Sequence, residues 1–408
     1  MSKVEFQDRY LPRIERTFDA VTDSDSRDFG AQRMNANPSR LQRVTIALLC
    51  LFVGSQAVQA GVIFNLTDTG GAGIGTQARA GFEAAAAFWS SKFSDNVFVN
   101  LNIGFTTLGP NILGSASSTQ QLNSYTDFRN AIAADMTSFH DATFSGSLPG
   151  GASFDPYINR TSDNPNGFGS ATPYVDADGG ANNTQVRINT ATAKALGLLS
   201  ANAAASDASI TFSDAFTFDF DPSDGITAGA FDFVGVAIHE IGHALGFVSG
   251  VDILDINSPP VNGPFLDNQF TFVSPLDFTR FSIDSETAGA DIDWTADARA
   301  KYFSIDGGAT IFQNNAFSTG FYFGDGHQAS HWKDDMGFGI MDPTLAPGEL
   351  GVPSELDFIA LDVIGWDRMS ISAVPEPSST ALMSLIALAF VRRSRRQRDD
   401  PSANAEAT

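Results

Sequence analysis

The chain has 408 residues, 43% of them hydrophobic and 17% charged, with a formal net charge of −23. This is the composition of a globular protein with a sizeable core and excludes a disordered or fibrous chain. Residues 61–377 carry about 37 acidic against about 11 basic side chains, a surface that repels phosphate backbones and excludes nucleic acid as a partner.

Residues 1–33 are highly charged and show no apolar period, so they read as a disordered extension or a start-site artefact, with Met34 as the initiator. Residues 34–60 have the order of a secretory signal. Arg40 and Arg43 precede an apolar run from Val44 to Val53, and Ala57-Val-Gln-Ala60 suits signal peptidase. The run is too short to span a bilayer. It contains the lone cysteine, Cys50, so the mature chain is expected to stand without disulfides, on its core and on bound metal.

A Gly-rich turn at 70–75 leads into Phe82, Ala85, Ala86, Trp89 and Phe93, whose spacing of three and four predicts a helix. Val97 to Phe105 alternates apolar and polar residues, which predicts a strand with one buried face. Residues 110–180, rich in Ser, Asn, Gly and Asp, read as loop with one helix around Phe128 to Phe139. Gln185–Asn189 reads as strand, Ala191–Leu199 as helix, and Ser209–Phe220 as strand. Without a regular βαβ period these elements predict an α+β fold, divided between residues 61–250 and 251–370.

Phe231 to Phe247 reads as one helix with an apolar face of Val234, Ala237, Ile238, Ile241 and Leu245. His239 and His243 stand one turn apart, so both imidazoles project the same way and can share one metal ion. Glu240, beside the first of them, is placed to act as a base without ligating. His-Glu-x-x-His on a helix is the pattern of a zinc peptidase, and with five histidines in the chain coincidence is a poor account of it. Gly246 suits a helix end at positive φ. A catalytic zinc needs a third protein ligand. Ser249 stands where the compact form of the motif has a histidine, leaving Asp252, Asp255, His327 and His331 as candidates. His140, on a polar segment far away, reads as an ordinary surface residue, and Tyr302 and Tyr322 are available as oxyanion donors without further support.

Two Asp-rich turns suggest weaker cation sites. Asp219, Asp221 and Asp224 offer alternating oxygens ahead of Gly225, one place late for an EF-hand, and Asp176-Ala-Asp178-Gly-Gly is shorter still. The stretch from Val251 to Gly326 is too long for a bare loop and is expected to carry strands of its own. Leu356 to Trp366 reads as a closing helix.

His331-Trp332 followed by Gly339-Ile340-Met341-Asp342-Pro343 resembles leishmanolysin, the metzincin in which a long insertion separates the helix from the third histidine. The resemblance implies a metzincin-like zincin with a mixed twisted sheet. It implies zinc held by His239, His243 and His331, an apolar floor at Met341, and Glu240 as general base in hydrolysis of protein or peptide substrates. Near the C-terminus Val374-Pro-Glu-Pro377, the apolar stretch Ala381–Val391 and the arginines 392–398 resemble a PEP-type sorting signal of Gram-negative bacteria. That implies secretion or display in the extracellular matrix, transient membrane association through the tail (374–398), and processing by an exosortase-like enzyme. Two rival readings remain at this level: a non-catalytic matrix or adhesion protein on a zincin scaffold, and a zinc amidase or esterase acting on glycans.

Overall fold

The computed structural model describes residues 4–5, 61–108 and 112–369. The segments read as a secretory signal (34–60) and a sorting tail (374–398) lie outside the described residues.

The main sheet has four strands. β1 (Ile63–Gly70) and β2 (Phe98–Thr106) are parallel neighbours joined through helix α1 (Gln77–Ser90). β3 (Gly114–Ser118) is an edge strand, and β4 (Gln120–Ser124) leaves this sheet to pair antiparallel with β5 (Gln185–Asn189). β6 (Ala208–Ser213) lies between β2, to which it is parallel, and β3, to which it is antiparallel. Alternation sets the register: Val99, Leu101 and Ile103 of β2 are buried, and Ile103 pairs with Ile210 of β6.

Helix α1 begins at Thr76, whose hydroxyl accepts from Arg79 N at 3.1 Å. It buries Phe82, Ala85, Ala86 and Trp89. The helical signal expected around 128–139 is two helices, α2 (Tyr125–Asp135) and α3 (Phe139–Ser147), because Ser138 caps a fresh start with Asp141 in a reciprocal capping box. Helix α4 (Thr190–Ala195) follows β5. The alternation at 209–220 is likewise broken: β6 stops at Ser213, and only Phe218–Asp219 resumes as strand, against Phe231–Asp232. Helix α5 (Phe233–Ala244) carries the His-Glu-x-x-His pattern.

Phe82 of α1, Phe212 of β6 and Phe233 of α5 meet with ring centroids 4.9–5.2 Å apart. Gly81 lets this happen, since a Cβ there would stand 2.3 Å from the Phe233 ring. Beyond α5, helix α6 (Val251–Asn257) opens the long insertion, which contains turns, short helices and strands of two residues, as at Arg280–Phe281 and Tyr302–Phe303. Helix α7 (Glu355–Val363) closes the unit. Thr344–Leu345 also pairs antiparallel with Val4–Glu5. The whole is a mixed α+β arrangement with several small sheets. Among the described residues no helix is long and apolar enough to cross a membrane.

Candidate metal centre

Helix α5 is fixed at both ends. Asp232 caps its start, its carboxylate accepting from Gly235 N at 2.9 Å and from Gly351 N at 3.1 Å. At its finish Gly246 turns the chain at φ +110°, where a Cβ would also lie 2.5 Å from Thr192 Oγ1. Two tryptophan indoles hold the helix from outside, Trp89 donating to Ile238 O at 3.0 Å and Trp366 to Leu245 O at 2.7 Å.

The side chains of His239 and His243 leave this helix together, and His331 arrives from 88 residues beyond His243. All three are about 1% exposed. His243 Nε2 lies 3.1 Å from His239 Nε2 and 3.1 Å from His331 Nε2. Each Nδ1 faces a backbone carbonyl: Ile340 O at 2.7 Å for His239, Phe247 O at 2.7 Å for His243, and Gln328 O at 3.3 Å for His331. A carbonyl can only accept, so each Nδ1 carries the proton and each Nε2 presents a lone pair. Three lone pairs pointed at one another repel unless a cation sits between them. Carbonyls in these places are the outer partners that would orient three imidazoles around a metal ion. Burial, and then the neighbouring imidazoles, push His239 and His331 well below the ordinary histidine range, which keeps them neutral. The three residues form a buried group that can hold a metal ion.

Glu240 is also about 1% exposed and points toward the edge of the sheet. A Cβ on Gly114 of β3 would stand 3.2 Å from Glu240 Oε1, so the bare edge strand leaves this carboxylate its room. Met341 is fully buried beneath the helix, and a Cβ on Gly242 would fall 2.5 Å from its Sδ. A cleft of about 370 Å³ reaches His239 between Gly235 and Val236 of α5 and the segment that includes Gly339, Ile340 and Leu350.

Two aspartates that place these residues do so without touching the metal group. Asp252 accepts from Ala329 N at 2.6 Å, Ser330 N at 3.0 Å and Ser330 Oγ, and so holds the loop that delivers His331. Asp357 of α7, wholly buried, accepts from Trp332 Nε1 at 2.8 Å, Ile340 N at 3.0 Å, Met341 N at 3.4 Å and Ser354 N at 2.6 Å. It ties the tryptophan beside the third histidine to the turn that carries the methionine.

Of the four residues open as third ligand, His331 alone joins the pair on the helix. Asp252 is committed to the loop, and Asp255 accepts from Tyr322 N at 2.7 Å and Phe323 N at 2.9 Å. His327 lies beside Asp334, with Nε2 3.6 Å from its carboxylate. Tyr302 donates to Gly308 O at 2.9 Å, and neither it nor Tyr322 lines the cleft at His239. His140 faces Asp362 and the Phe312 ring. Among the described residues the turn of Asp219, Asp221 and Asp224 gathers no donor cluster, and the carboxylates of Asp219 and Asp221 bond their own loop. Asp219 takes Thr227 N at 2.8 Å and Asp221 N at 3.0 Å, and Asp221 takes Ser223 N at 3.1 Å. The Thr227 hydroxyl at Asp219 and the Ser223 hydroxyl at Asp221, and after them these backbone bonds, hold both below the usual carboxylate range.

No protein-family model, curated protein or solved structure matches this chain. The site therefore rests on its own geometry. Asp252 and Asp357 went unread in these roles for a physical reason. An aspartate near a metal motif looks the same in sequence whether it binds the ion or collects backbone N–H groups, and only the fold tells which donors surround it.

Proposed function

We propose that this chain is a secreted or surface-sorted zinc metalloendopeptidase of the metzincin type, with His239, His243 and His331 as metal ligands and Glu240 as general base. One observation carries the reading: three buried imidazoles bring their Nε2 atoms to a common point, 3.1 Å apart along two edges. Nitrogens bound tetrahedrally to zinc at about 2.0–2.1 Å stand about 3.3 Å apart. A set of three histidines without thiolate also leaves a coordination position for chemistry, where a closed structural site would fill it. Bound zinc would polarise the scissile carbonyl and make water acidic enough to attack near neutral pH.

Everything else falls to the protein. Glu240, next to His239 on the same helix, takes the proton of the attacking water and passes it to the leaving amine. The bare sheet edge at Gly114 leaves the buried Glu240 carboxylate its room beside the histidines. The cleft at His239 admits a side chain of the substrate. Met341 packs on Gly242 and makes an apolar floor under the histidines without ligating.

The test is metal analysis together with casein hydrolysis on the purified full chain, with and without chelator. The wild type should retain one zinc per chain and cleave casein, and cleavage should stop on chelation and return with zinc. Glu240→Gln should keep the zinc and lose most turnover, while His331→Ala should lose the zinc. Wild-type chain that retains zinc without cleaving casein would point instead to a non-catalytic scaffold.

A further inference from the structure

A second group of donors lies apart from the histidines. Asp176 and Asp178, from the short Asp-Gly turn, meet Asp267, 89 residues beyond Asp178 in the long insertion, with one carboxylate oxygen from each lying within 4.8 Å of the others. Asp176 is 3% and Asp267 8% exposed. A fourth carboxylate adjoins them, since Asp163 Oδ1 accepts from Asp267 N at 3.1 Å. No lysine, arginine or histidine forms an ion pair with any of the three among the described residues. Half-buried like charges brought together without a counter-charge are costly. The crowding shows in Asp267, which burial first and Asp176 second push up to about 6.

An independent observation marks where the compensation comes from. Asn182 is 1% exposed, its amide lies against the cluster with Nδ2 2.6 Å from Asp176 Oδ2, and its Oδ1 has no hydrogen-bond partner. A buried amide oxygen without a donor is unfavourable, since it has given up its water and gained nothing in return. Turning the amide over, which exchanges its nearly indistinguishable oxygen and nitrogen, would bring Oδ1 to the position now held by Nδ2. Two oxygens facing each other at that separation are what neighbouring ligands of one cation look like. We propose that Asp176, Asp178, Asp267 and the Asn182 side chain form a calcium site.

The donor set is all oxygen and anionic, which suits a hard cation and not zinc. Calcium takes six to eight oxygens at about 2.3–2.6 Å in flexible geometry, which suits carboxylates from two separate segments better than magnesium's strict octahedron at about 2.0–2.1 Å. Tyr174 donates to Asp267 Oδ2 at 2.9 Å and Asn268 Nδ2 to Asp178 Oδ2 at 3.1 Å, so the outer lone pairs are already oriented. The ion would pin the insertion between the second and third histidines to the turn that precedes β5. Its role is to hold that insertion in place, independent of any reaction at the histidines.

The test is calorimetric titration of the full zinc-loaded chain with calcium chloride, beside melting curves with and without calcium. One calcium per chain is expected, with Kd in the range of extracellular modules, about 0.1–1 mM. Asp267→Asn and the exposed Asp178→Asn should each weaken binding about tenfold or more. Without calcium, Asp267→Asn should melt no lower than wild type, since it removes one of three like charges; with calcium only the wild type should gain. Terbium, sensitised by the neighbouring Tyr174, should report the same site by luminescence that calcium displaces. Absence of binding up to about 10 mM calcium, or binding unchanged in both variants, would overturn the proposal.

Discussion

Asp357→Ala removes a carboxylate that touches neither the histidines nor the cleft, yet it should loosen the whole metal centre. The four donors it serves are Trp332 Nε1, the N–H groups of Ile340 and Met341, and Ser354 N. The first three bonds are buried, and alanine offers them nothing. A buried donor left without an acceptor costs about 1–3 kcal/mol. The Met341 bond is long, and Ser354 lies near solvent, so two full penalties and two partial ones give about 3–5 kcal/mol. For a folded unit of this size that is a fall in Tm of about 5–8 °C. Differential scanning calorimetry of the zinc-loaded variant measures it, and zinc retention after dialysis gives the second readout. The turn holding Ile340 also supplies the carbonyl that orients His239, so metal affinity should fall with stability. A variant that melts within about 2 °C of wild type and keeps its zinc would refute the claim that Asp357 organises this region.

Asp252→Ala should weaken zinc affinity by about 10- to 100-fold, the usual effect of losing an outer support, because it frees the loop at Ala329 and Ser330; competition with a chromogenic chelator reads this out. Lys194→Met breaks a buried pair with Asp207 at 2.6 Å and should cost about 3–5 kcal/mol in denaturant unfolding. Burial raises Asp95 to about 8, and Asp135 and Asp362 each to about 7, with neighbouring carboxylates adding to each. A carboxyl whose folded pKa lies above its unfolded value favours the native state while protonated. That contribution is complete below about pH 4 and is lost as pH rises through 7–8. Asp95→Asn should therefore raise Tm relative to wild type strongly at pH 8.5 and much less at pH 5, as melting curves at the two pH values will show.

The helix at 233–244 was legible because its apolar face repeats at helical spacing and its histidines fall one turn apart. Both are local properties that survive without knowledge of the fold. β2 and β5 were legible for the same reason, with Val99, Leu101 and Ile103 alternating cleanly. The edge strand Gly114–Ser118 was not, since Gly-Ser-Ala-Ser-Ser carries no alternation and is made a strand by pairing with β6. β1 also escaped notice, its outer residues being polar and exposed. The third ligand stayed open among four residues because no spacing rule reaches across the long insertion; the choice depends on where the chain returns. The acidic turn that drew more attention, at 219–224, satisfies its own carboxylates. The shorter one at 176–180 gains its third carboxylate from Asp267, a distant residue whose arrival sequence alone does not foretell.

The last helix of the folded unit supplies Asp357, and with it the lashing for a turn that touches the first histidine. A ribosome has thus delivered both histidines of α5 more than a hundred residues before the pocket around them can close. A chain cut short anywhere in that interval would carry the paired histidines without the turn that orients the first of them. On the proposed reading, synthesis order would delay metal capture until the helix that carries Asp357 has docked.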